Sequence, residues 1–292
     1  MKFRLITVVC LTLLALKCFS QDKNFYIFIC FGQSNMEGNA RVQPQDTIAI
    51  DSRFRVLQAV DCGDNNRTKD TWRTAVPPLA RCKTGLTPAD YFGRTLVANL
   101  PKKIRVGIIN VSVAGAKIEV FEKDTYQSYL ATAPVWMKNI ATEYGGDPYE
   151  RLVEMAKLAQ KSGVIKGVLL HQGESNPNDT LWTKKVKGIY DNLVKELDLK
   201  PKKVPLLAGE LVNADQGGAC ANMNKIIATL PDVVPNSYVI SSAGCPSSRD
   251  HLHFAAEGYR MLGKRYGETM LSLLGFKIKV TEQPVNLPLN SN

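Results

Sequence analysis

The 292-residue chain contains very little histidine, and this scarcity narrows the chemistry available to it. Its three histidines are His171, His251 and His253. No pair of cysteines or histidines has the C-x-x-C or H-x-x-H spacing of a metal site, so we predict no metal and no cofactor. Beyond residue 20, no apolar run is long enough to span a bilayer, which predicts no stable membrane insertion. The net charge is +10, but the basic residues form no continuous stripe, so no nucleic-acid partner is expected.

The one long apolar run lies at the start of the chain. Residues 1–20 begin with Lys2 and Arg4, continue through the apolar stretch Leu5 to Leu16 and end near Ser20. This pattern is typical of a signal peptide that is removed on export. We therefore expect cleavage near Ser20 and a periplasmic or extracellular protein.

Export would allow disulfides to form among the five cysteines that remain after cleavage. The pairing is left open, and Cys62 with Cys82 and Cys220 with Cys245 are the pairings to test first, because all four lie in loop-like segments rich in glycine, proline or asparagine. Cys30 lies inside an apolar run, which predicts a buried free thiol.

The order of apolar patterns predicts an α/β fold. Strands are expected at 25–31, 104–111, 167–170, 205–208 and 238–241, and helices at 89–99, 149–161, 182–197, 221–230 and 255–274. Alternating strands and helices predict a three-layer α/β/α sandwich around a mainly parallel sheet of about five strands. Residues 21–292 would form a single domain, with an extended tail at 279–292.

Residues 39–88 interrupt this alternation directly after the first strand and its turn. The segment shows little periodicity and contains many Asp, Asn, Arg and Pro residues. We interpret it as an insertion that forms one wall of a substrate cleft, with Trp72 and Arg73 as candidate substrate contacts. A tryptophan in such a segment is more often part of a core, so the alternative is a packing role.

The segment Gly32 to Met36 (G-Q-S-N-M) holds the candidate nucleophile. It follows the apolar run Phe25 to Phe31, which predicts a strand buried on both faces. A serine on a turn after such a strand lies at the carboxyl end of the sheet, where open α/β folds bind their ligands. Ser34 is therefore the predicted nucleophile, with Gln33 and Asn35 as candidate substrate contacts. The alternative is that Ser34 or Asn35 only caps a helix.

A serine nucleophile needs a base, and the base needs an orienting partner. Asp250 and His253 lie three residues apart on a predicted loop, a spacing at which the carboxylate can reach one ring nitrogen and leave the other free for Ser34. His251 would then face solvent. Glu174, which follows the strand ending at Leu170, remains the alternative orienting acid.

Two further turns at strand ends offer hydrogen-bond donors. Gln172 follows one predicted strand, and its side-chain amide could point at a developing oxyanion. Gly115 follows another and could bring its backbone N–H to the same place, since glycine lets the backbone approach a ligand closely. The alternatives are an ordinary turn glycine and a polar network that ties loops together.

The three segments G-Q-S-N-M, H-Q-G-E-S-N (171–176) and D-H-L-H-F (250–254), in this order, resemble the SGNH hydrolases. Within that superfamily the chain is similar to the sialate O-acetylesterase-like group, which contains the family 6 carbohydrate esterases. The resemblance implies a flavodoxin-like fold with Ser34 as nucleophile, His253 as base and Asp250 as acid. It implies an oxyanion hole made by Ser34, Gly115 and Gln172, although SGNH enzymes usually have asparagine where this chain has Gln172.

The resemblance also implies a function. We expect a serine esterase that removes O-acetyl groups from an acetylated polysaccharide or glycan, with acetylated xylan as the first substrate because the similar sialate enzymes tend to be longer. A sialate O-acetylesterase is the alternative with the same chemistry. The sequence also leaves open a lipase or thioesterase of the same fold, and a glycan-binding module without turnover.

Overall fold

The computed structural model of the chain describes residues 21–278, so the predicted signal peptide and the tail from residue 279 lie outside the described residues. Seven strands are present in this part of the chain: Asp22–Gly32 (β1), Phe54–Leu57 (β2), Trp72–Thr74 (β3), Arg105–Ser112 (β4), Gly163–His171 (β5), Leu206–Gly209 (β6) and Ser237–Ile240 (β7). They form one sheet in the order β3-β2-β4-β1-β5-β6-β7. All neighbouring pairs are parallel except β2 with β3.

Ten α-helices accompany the sheet within the described residues. They are Ser34–Glu37 (α1), Pro44–Thr47 (α2), Pro88–Asn99 (α3), Tyr126–Thr132 (α4), Val135–Glu143 (α5), Pro148–Gln160 (α6), Trp182–Glu196 (α7), Asn224–Ile227 (α8), Leu230–Val233 (α9) and Ala256–Leu273 (α10). The single helix expected at 221–230 is wrong: α8 and α9 are separate short helices, and Pro231 near the start of α9 cannot continue the helix before it. The helices α4 and α5 were not predicted.

The sheet has a hydrophobic core on each face, and this confirms the three-layer α/β/α sandwich. Alternate residues of β1 point to opposite faces, as the strand period of two requires. Phe25, Ile27, Ile29 and Phe31 pack with residues of α6 and α7, whereas Phe28 and Cys30 pack with residues of α3 and α10. Within residues 21–278, no helix is both long and apolar enough to cross a lipid bilayer.

The sheet is wider than expected because the insertion at 39–88 contributes two strands. Its β2 pairs in parallel with β4, and β3 then turns back antiparallel to β2. These strands are only four and three residues long, so they carry too little periodicity to be recognised against the polar residues around them. The insertion therefore extends the sheet, and its part in forming a cleft wall stays a prediction.

The cysteines are only partly as expected. Cys62 and Cys82 form a disulfide within the insertion, which confirms the first predicted pair. The second pair is wrong, since Cys220 and Cys245 are both free thiols. Cys30 is a buried free thiol as predicted, and burial raises its pKa far above the ordinary value.

The disulfide should stabilise the insertion measurably. Its two cysteines are separated by 20 residues, and closing a loop of that length is worth about 3 kcal/mol in the chain-entropy description. We expect the double variant Cys62→Ala/Cys82→Ala to lower the free energy of unfolding in urea by about that amount. Cys220→Ala, which removes a partly exposed free thiol, is the matched control. A double variant as stable as this control would contradict the prediction.

Candidate active site

The ends of three adjacent strands bring the three sequence segments together. Gly32, the last residue of β1, is in register with Ser112 of β4 and His171 of β5. The backbone N–H of Gln33 donates to the carbonyl of His171 at 3.1 Å, and Val113 N–H donates to the carbonyl of Gly32 at 3.0 Å. A Cβ atom on Gly32 would lie 2.1 Å from the His171 carbonyl oxygen. Only glycine therefore lets the turn after β1 lie this close to β5.

Ser34, His253 and Asp250 form a continuous hydrogen-bonded chain at this edge. Ser34 Oγ lies 2.8 Å from His253 Nε2, and His253 Nδ1 lies 2.7 Å from Asp250 Oδ2. The other oxygen of Asp250 accepts the backbone N–H groups of Leu252 and His253 at 2.9 and 3.0 Å. The structure thus brings together the three residues that the sequence predicted for the nucleophile, the base and the acid, whereas His251 is exposed, as expected.

The environment keeps Asp250 ionised. Partial burial acts to raise the pKa of its carboxyl, but hydrogen bonds from the side chain and backbone of His253 and from the Ser248 hydroxyl hold that pKa well below its ordinary value. A carboxylate on Nδ1 keeps the proton of neutral histidine on that nitrogen. The Nε2 atom is then free to accept the proton of Ser34 Oγ, which is the arrangement an activated nucleophile requires.

Glu174, the alternative acid, is bound elsewhere. Its Oε1 accepts the side-chain amide of Asn35 at 2.5 Å and lies 3.8 Å from His171 Nδ1. Within the described part of the chain it makes no hydrogen bond to His253. The geometry therefore favours Asp250 as the orienting acid.

Asn35 is a buried structural residue, and its contacts do not favour the predicted substrate contact, which stays a prediction. None of its surface is exposed. Its Nδ2 also donates to the carbonyl of Leu252 at 3.1 Å, while its Oδ1 accepts the hydroxyl of Tyr259 at 2.6 Å and the N–H of Phe254 at 3.3 Å. The asparagine next to the serine therefore fixes the loop that carries His253.

Gln172 lies inside a buried polar network. Its Nε2 donates to Asn176 Oδ1 at 2.6 Å and Gln33 Oε1 at 3.0 Å, and lies 3.3 Å from the carbonyl of Ala116, while its Oε1 accepts the indole N–H of Trp182. Both amide hydrogens are therefore occupied in this state, and an oxyanion role for Gln172 stays a prediction that the contacts do not favour.

Gln33 is also buried, but one end of its amide has no partner. Its Oε1 accepts Gln172 Nε2 and the backbone N–H of Ser175 at 3.2 Å. Because a backbone N–H can only donate, this contact fixes which end of the amide is oxygen. The Nε2 of Gln33 donates to nothing among the described residues, so its predicted substrate contact stays a prediction.

Gly115 occupies a tight turn beside the serine. The N–H of Ala116 donates to the carbonyl of Val113 at 3.1 Å and closes the turn, in which Gly115 has a φ of +66°. The Ser175 hydroxyl donates to the carbonyl of Gly115 at 2.8 Å. Among the described residues, the Gly115 N–H donates no hydrogen bond. This free donor is compatible with the predicted oxyanion role, which stays a prediction.

A buried ion pair, not anticipated from the sequence, supports this turn. Glu37 at the end of α1 accepts Arg81 Nε at 2.8 Å, and the backbone N–H of Ala114, the residue before Gly115, acts with Arg81 to lower the pKa of Glu37. Burial raises the pKa of Glu37, and Arg81 acts against that rise. Arg81 also binds Glu143 at the end of α5 at 2.6 Å. Because Glu37, Arg81 and Glu143 are far apart in sequence, their spacing gives no pattern from which the ion pairs could be predicted.

Trp72 and Arg73 lie in the insertion and pack away from Ser34, so these contacts do not favour their predicted role as substrate contacts, which stays a prediction. The Trp72 ring packs against Phe25, with ring centroids 4.8 Å apart, and against Gly107. Gly107 lies five residues before the carboxyl end of β4, which is about 16 Å along a strand. Arg73 donates to Gln58 and to backbone carbonyls of its own insertion. Both residues stabilise the insertion.

The described residues contain no cluster of three His, Cys, Asp or Glu side chains that could hold a metal ion. The polar groups at the sheet edge instead form a proton-transfer chain beside free backbone donors. Fold and site together define a hydrolase on a three-layer α/β sandwich.

Comparison with known proteins identifies the family. The model of a family described as carbohydrate esterase, sialic acid-specific acetylesterase, matches residues 24–272. The chain belongs to this family of carboxylic ester hydrolases that act on carbohydrate. The resemblance to the SGNH hydrolases and their sialate O-acetylesterase-like group is thereby confirmed.

Individual relatives are distant in sequence but share the fold. A protein named "Probable carbohydrate esterase" from Arabidopsis thaliana is 24% identical over 257 residues, which cover 84% of this chain and 90% of the relative. An X-ray structure of an Arabidopsis thaliana protein has a TM-score of 0.65 at 23% identity and covers 86% of this chain and 99% of its own. The crystal structure of NanS has a TM-score of 0.61 at 15% identity, with 88% and 99% covered.

Substitution of the two candidate orienting acids, Asp250 and Glu174, should lower kcat by very different amounts. We expect Asp250→Asn to lower kcat by about 10² to 10⁴-fold, because an amide can neither hold the histidine tautomer nor stabilise the imidazolium. Glu174→Gln should have a much smaller effect on kcat, since Glu174 contacts Asn35 rather than His253. Steady-state hydrolysis of a soluble acetate ester measures both. A larger loss in the Glu174 variant, in folded protein, would transfer the orienting role to Glu174.

Proposed function

We propose that the protein is a serine carbohydrate esterase that removes O-acetyl groups from a glycan through an acetyl-enzyme on Ser34. The observation that carries the proposal is the Ser34–His253–Asp250 chain, with contacts of 2.8 and 2.7 Å. Membership of a carbohydrate esterase family supports ester hydrolysis on a sugar. The geometry and the chemistry of such a chain support the serine mechanism.

Acylation begins with proton transfer. His253 Nε2 accepts the proton of Ser34 Oγ as that oxygen attacks the acetyl carbonyl carbon. Asp250 holds the ring through Nδ1 and stabilises the imidazolium that forms. The tetrahedral intermediate then collapses as His253 donates its proton to the departing sugar oxygen, which leaves a free hydroxyl on the glycan and an acetyl ester on Ser34.

The negative charge that develops on the acetyl carbonyl oxygen in the tetrahedral intermediate must be stabilised by hydrogen-bond donors. The backbone N–H groups of Ser34 and Gly115 are the candidates, since neither donates a hydrogen bond among the described residues. Each such donor is worth about 10² to 10³ in turnover. Water, deprotonated by His253, then attacks the acetyl-enzyme through a second tetrahedral intermediate and releases acetate.

For the substrate we propose acetylated xylan first, because the three sequence segments resemble those of the family 6 carbohydrate esterases. The description of the matching family as sialic acid-specific favours a second candidate, O-acetylated sialic acid. The same Ser34 chemistry serves both, because the bond that breaks is an acetate ester in each. The surroundings of the departing sugar, rather than the nucleophile, decide between them.

Ser34→Ala should abolish turnover. We expect the wild-type protein to release acetate from acetylated xylan and the variant to be at least about a thousandfold slower in kcat, the order of loss that removal of a catalytic serine causes elsewhere. Ser272→Ala, an exposed serine near the end of α10, is the matched control and should remain fully active. Near-normal turnover by folded Ser34→Ala would exclude the mechanism.

A panel of substrates separates the candidate functions. Acetate released only from O-acetylated sialic acid would select the second substrate. Rates that increase with acyl length beyond butyryl would indicate a lipase or thioesterase. Glycan binding without hydrolysis of any ester would indicate a glycan-binding module.

A further inference from the structure

Two adjacent hydrophobic residues at the start of α5 are unusually exposed. Val135 is 71% exposed and Trp136 is 52% exposed, whereas Met137, Ile140 and Ala141 of the same helix are buried. The buried residues anchor the helix to the core, so Trp136 is not needed for that packing. Single exposed hydrophobic residues are common and carry no meaning alone. The surroundings of Trp136 are what make it informative.

The Trp136 ring contacts the turn beside the candidate nucleophile. A Cβ atom on Gly115 would lie 2.5 Å from Cη2 of Trp136, and the next two nearest atoms belong to the same ring. The six-membered edge of the indole therefore packs directly on the Cα of Gly115. This residue is the one whose free N–H is the candidate oxyanion donor. The exposed part of the ring thus lies at the rim of the proposed active site.

The burial of Ser34 limits which part of a substrate can reach it. Ser34 is only 8% exposed, so a small acyl group can enter while the larger alcohol portion of the ester remains at the rim. A pyranose ring has an apolar face of C–H groups and a periphery of hydroxyls. A flat aromatic surface at the rim is suited to the apolar face of the sugar.

We propose that Trp136, together with Val135, forms a sugar-binding subsite on which the ring of the departing glycan lies while its acetyl group reaches Ser34. This inference rests on the proposed function and identifies a specificity-determining residue for it. The sequence pattern agrees with the exposure: Val135 and Trp136 precede apolar residues at helical spacing, 137, 140 and 141, and so fall outside the buried stripe.

The test compares two esters that carry the same acetyl group. We expect Trp136→Ala to raise KM for partially acetylated xylo-oligosaccharides about tenfold more than it raises KM for ethyl acetate, which has no ring to stack. Trp136→Phe keeps a smaller aromatic face and should show a weaker effect. Leu273→Ala is the control, because it removes an exposed hydrophobic residue beside the start of β6. That residue lies near the amino end of the strand, whereas Ser34 follows the carboxyl end of β1, so the change should alter neither KM.

Two results would overturn the inference. Equal losses on both esters would mean that Trp136 only supports the Gly115 turn, and no loss on either would mean that the exposed ring serves another purpose. The same comparison with O-acetylated sialic acid in place of the xylo-oligosaccharide covers the second substrate candidate.

A binding measurement keeps this inference separate from the proposed function. If the wild-type protein releases no acetate from any glycan, the proposed function fails. The subsite is then judged by calorimetric titration of Ser34→Ala with xylotetraose and with sialic acid. Binding of either sugar that the added Trp136→Ala change weakens about tenfold supports the subsite. Absent or unchanged binding overturns it.

Discussion

The site depends on how closely the backbone at Gly32 approaches β5. A side chain at this position would collide with the carbonyl of His171, and the turn that carries Ser34 would move away from the sheet. Because β1 lies between β4 and β5, the same close approach sets the distance from Ser34 to the turns that follow both neighbours. The nucleophile, the Gly115 turn and the buried amide network are thus positioned by strand register rather than by flexible loops.

Buried polar residues connect the turns at the ends of β1 and β5 to the loop of Asp250 and His253, which lies outside the sheet. Asn35 supplies most of that connection, since its amide reaches the loop backbone, Glu174 and a tyrosine of α10. A buried amide with every group paired has one favourable orientation, because rotation would leave polar atoms unsatisfied at low dielectric. The proton-transfer chain therefore holds its geometry although the Asp250 side chain is half exposed.

Much of the fold and the centre of the site could be predicted from the sequence, for a physical reason in each case. Buried parallel strands such as β1 are continuous apolar runs, and Asp250 with His253 is a local pair whose spacing is visible. Other features depend on contacts between distant segments. The short strands β2 and β3, the buried role of Asn35 and the pairing of Glu37 with Arg81 arise from such contacts. Trp72 and Trp136 show the same limit, because composition does not tell a core indole from an exposed one.

The disulfide has a consequence beyond the insertion that contains it. Cys82 is preceded by Arg81, and Arg81 is the counter-ion of Glu37, a carboxylate whose pKa is also lowered by the backbone N–H of the residue before Gly115. The covalent bond thereby limits how far the positive charge can move from a carboxylate that is buried and costly to leave unpaired. The edge-strand insertion is in this way connected to the turn beside the nucleophile through one covalent bond, the adjacent arginine and its ion pair.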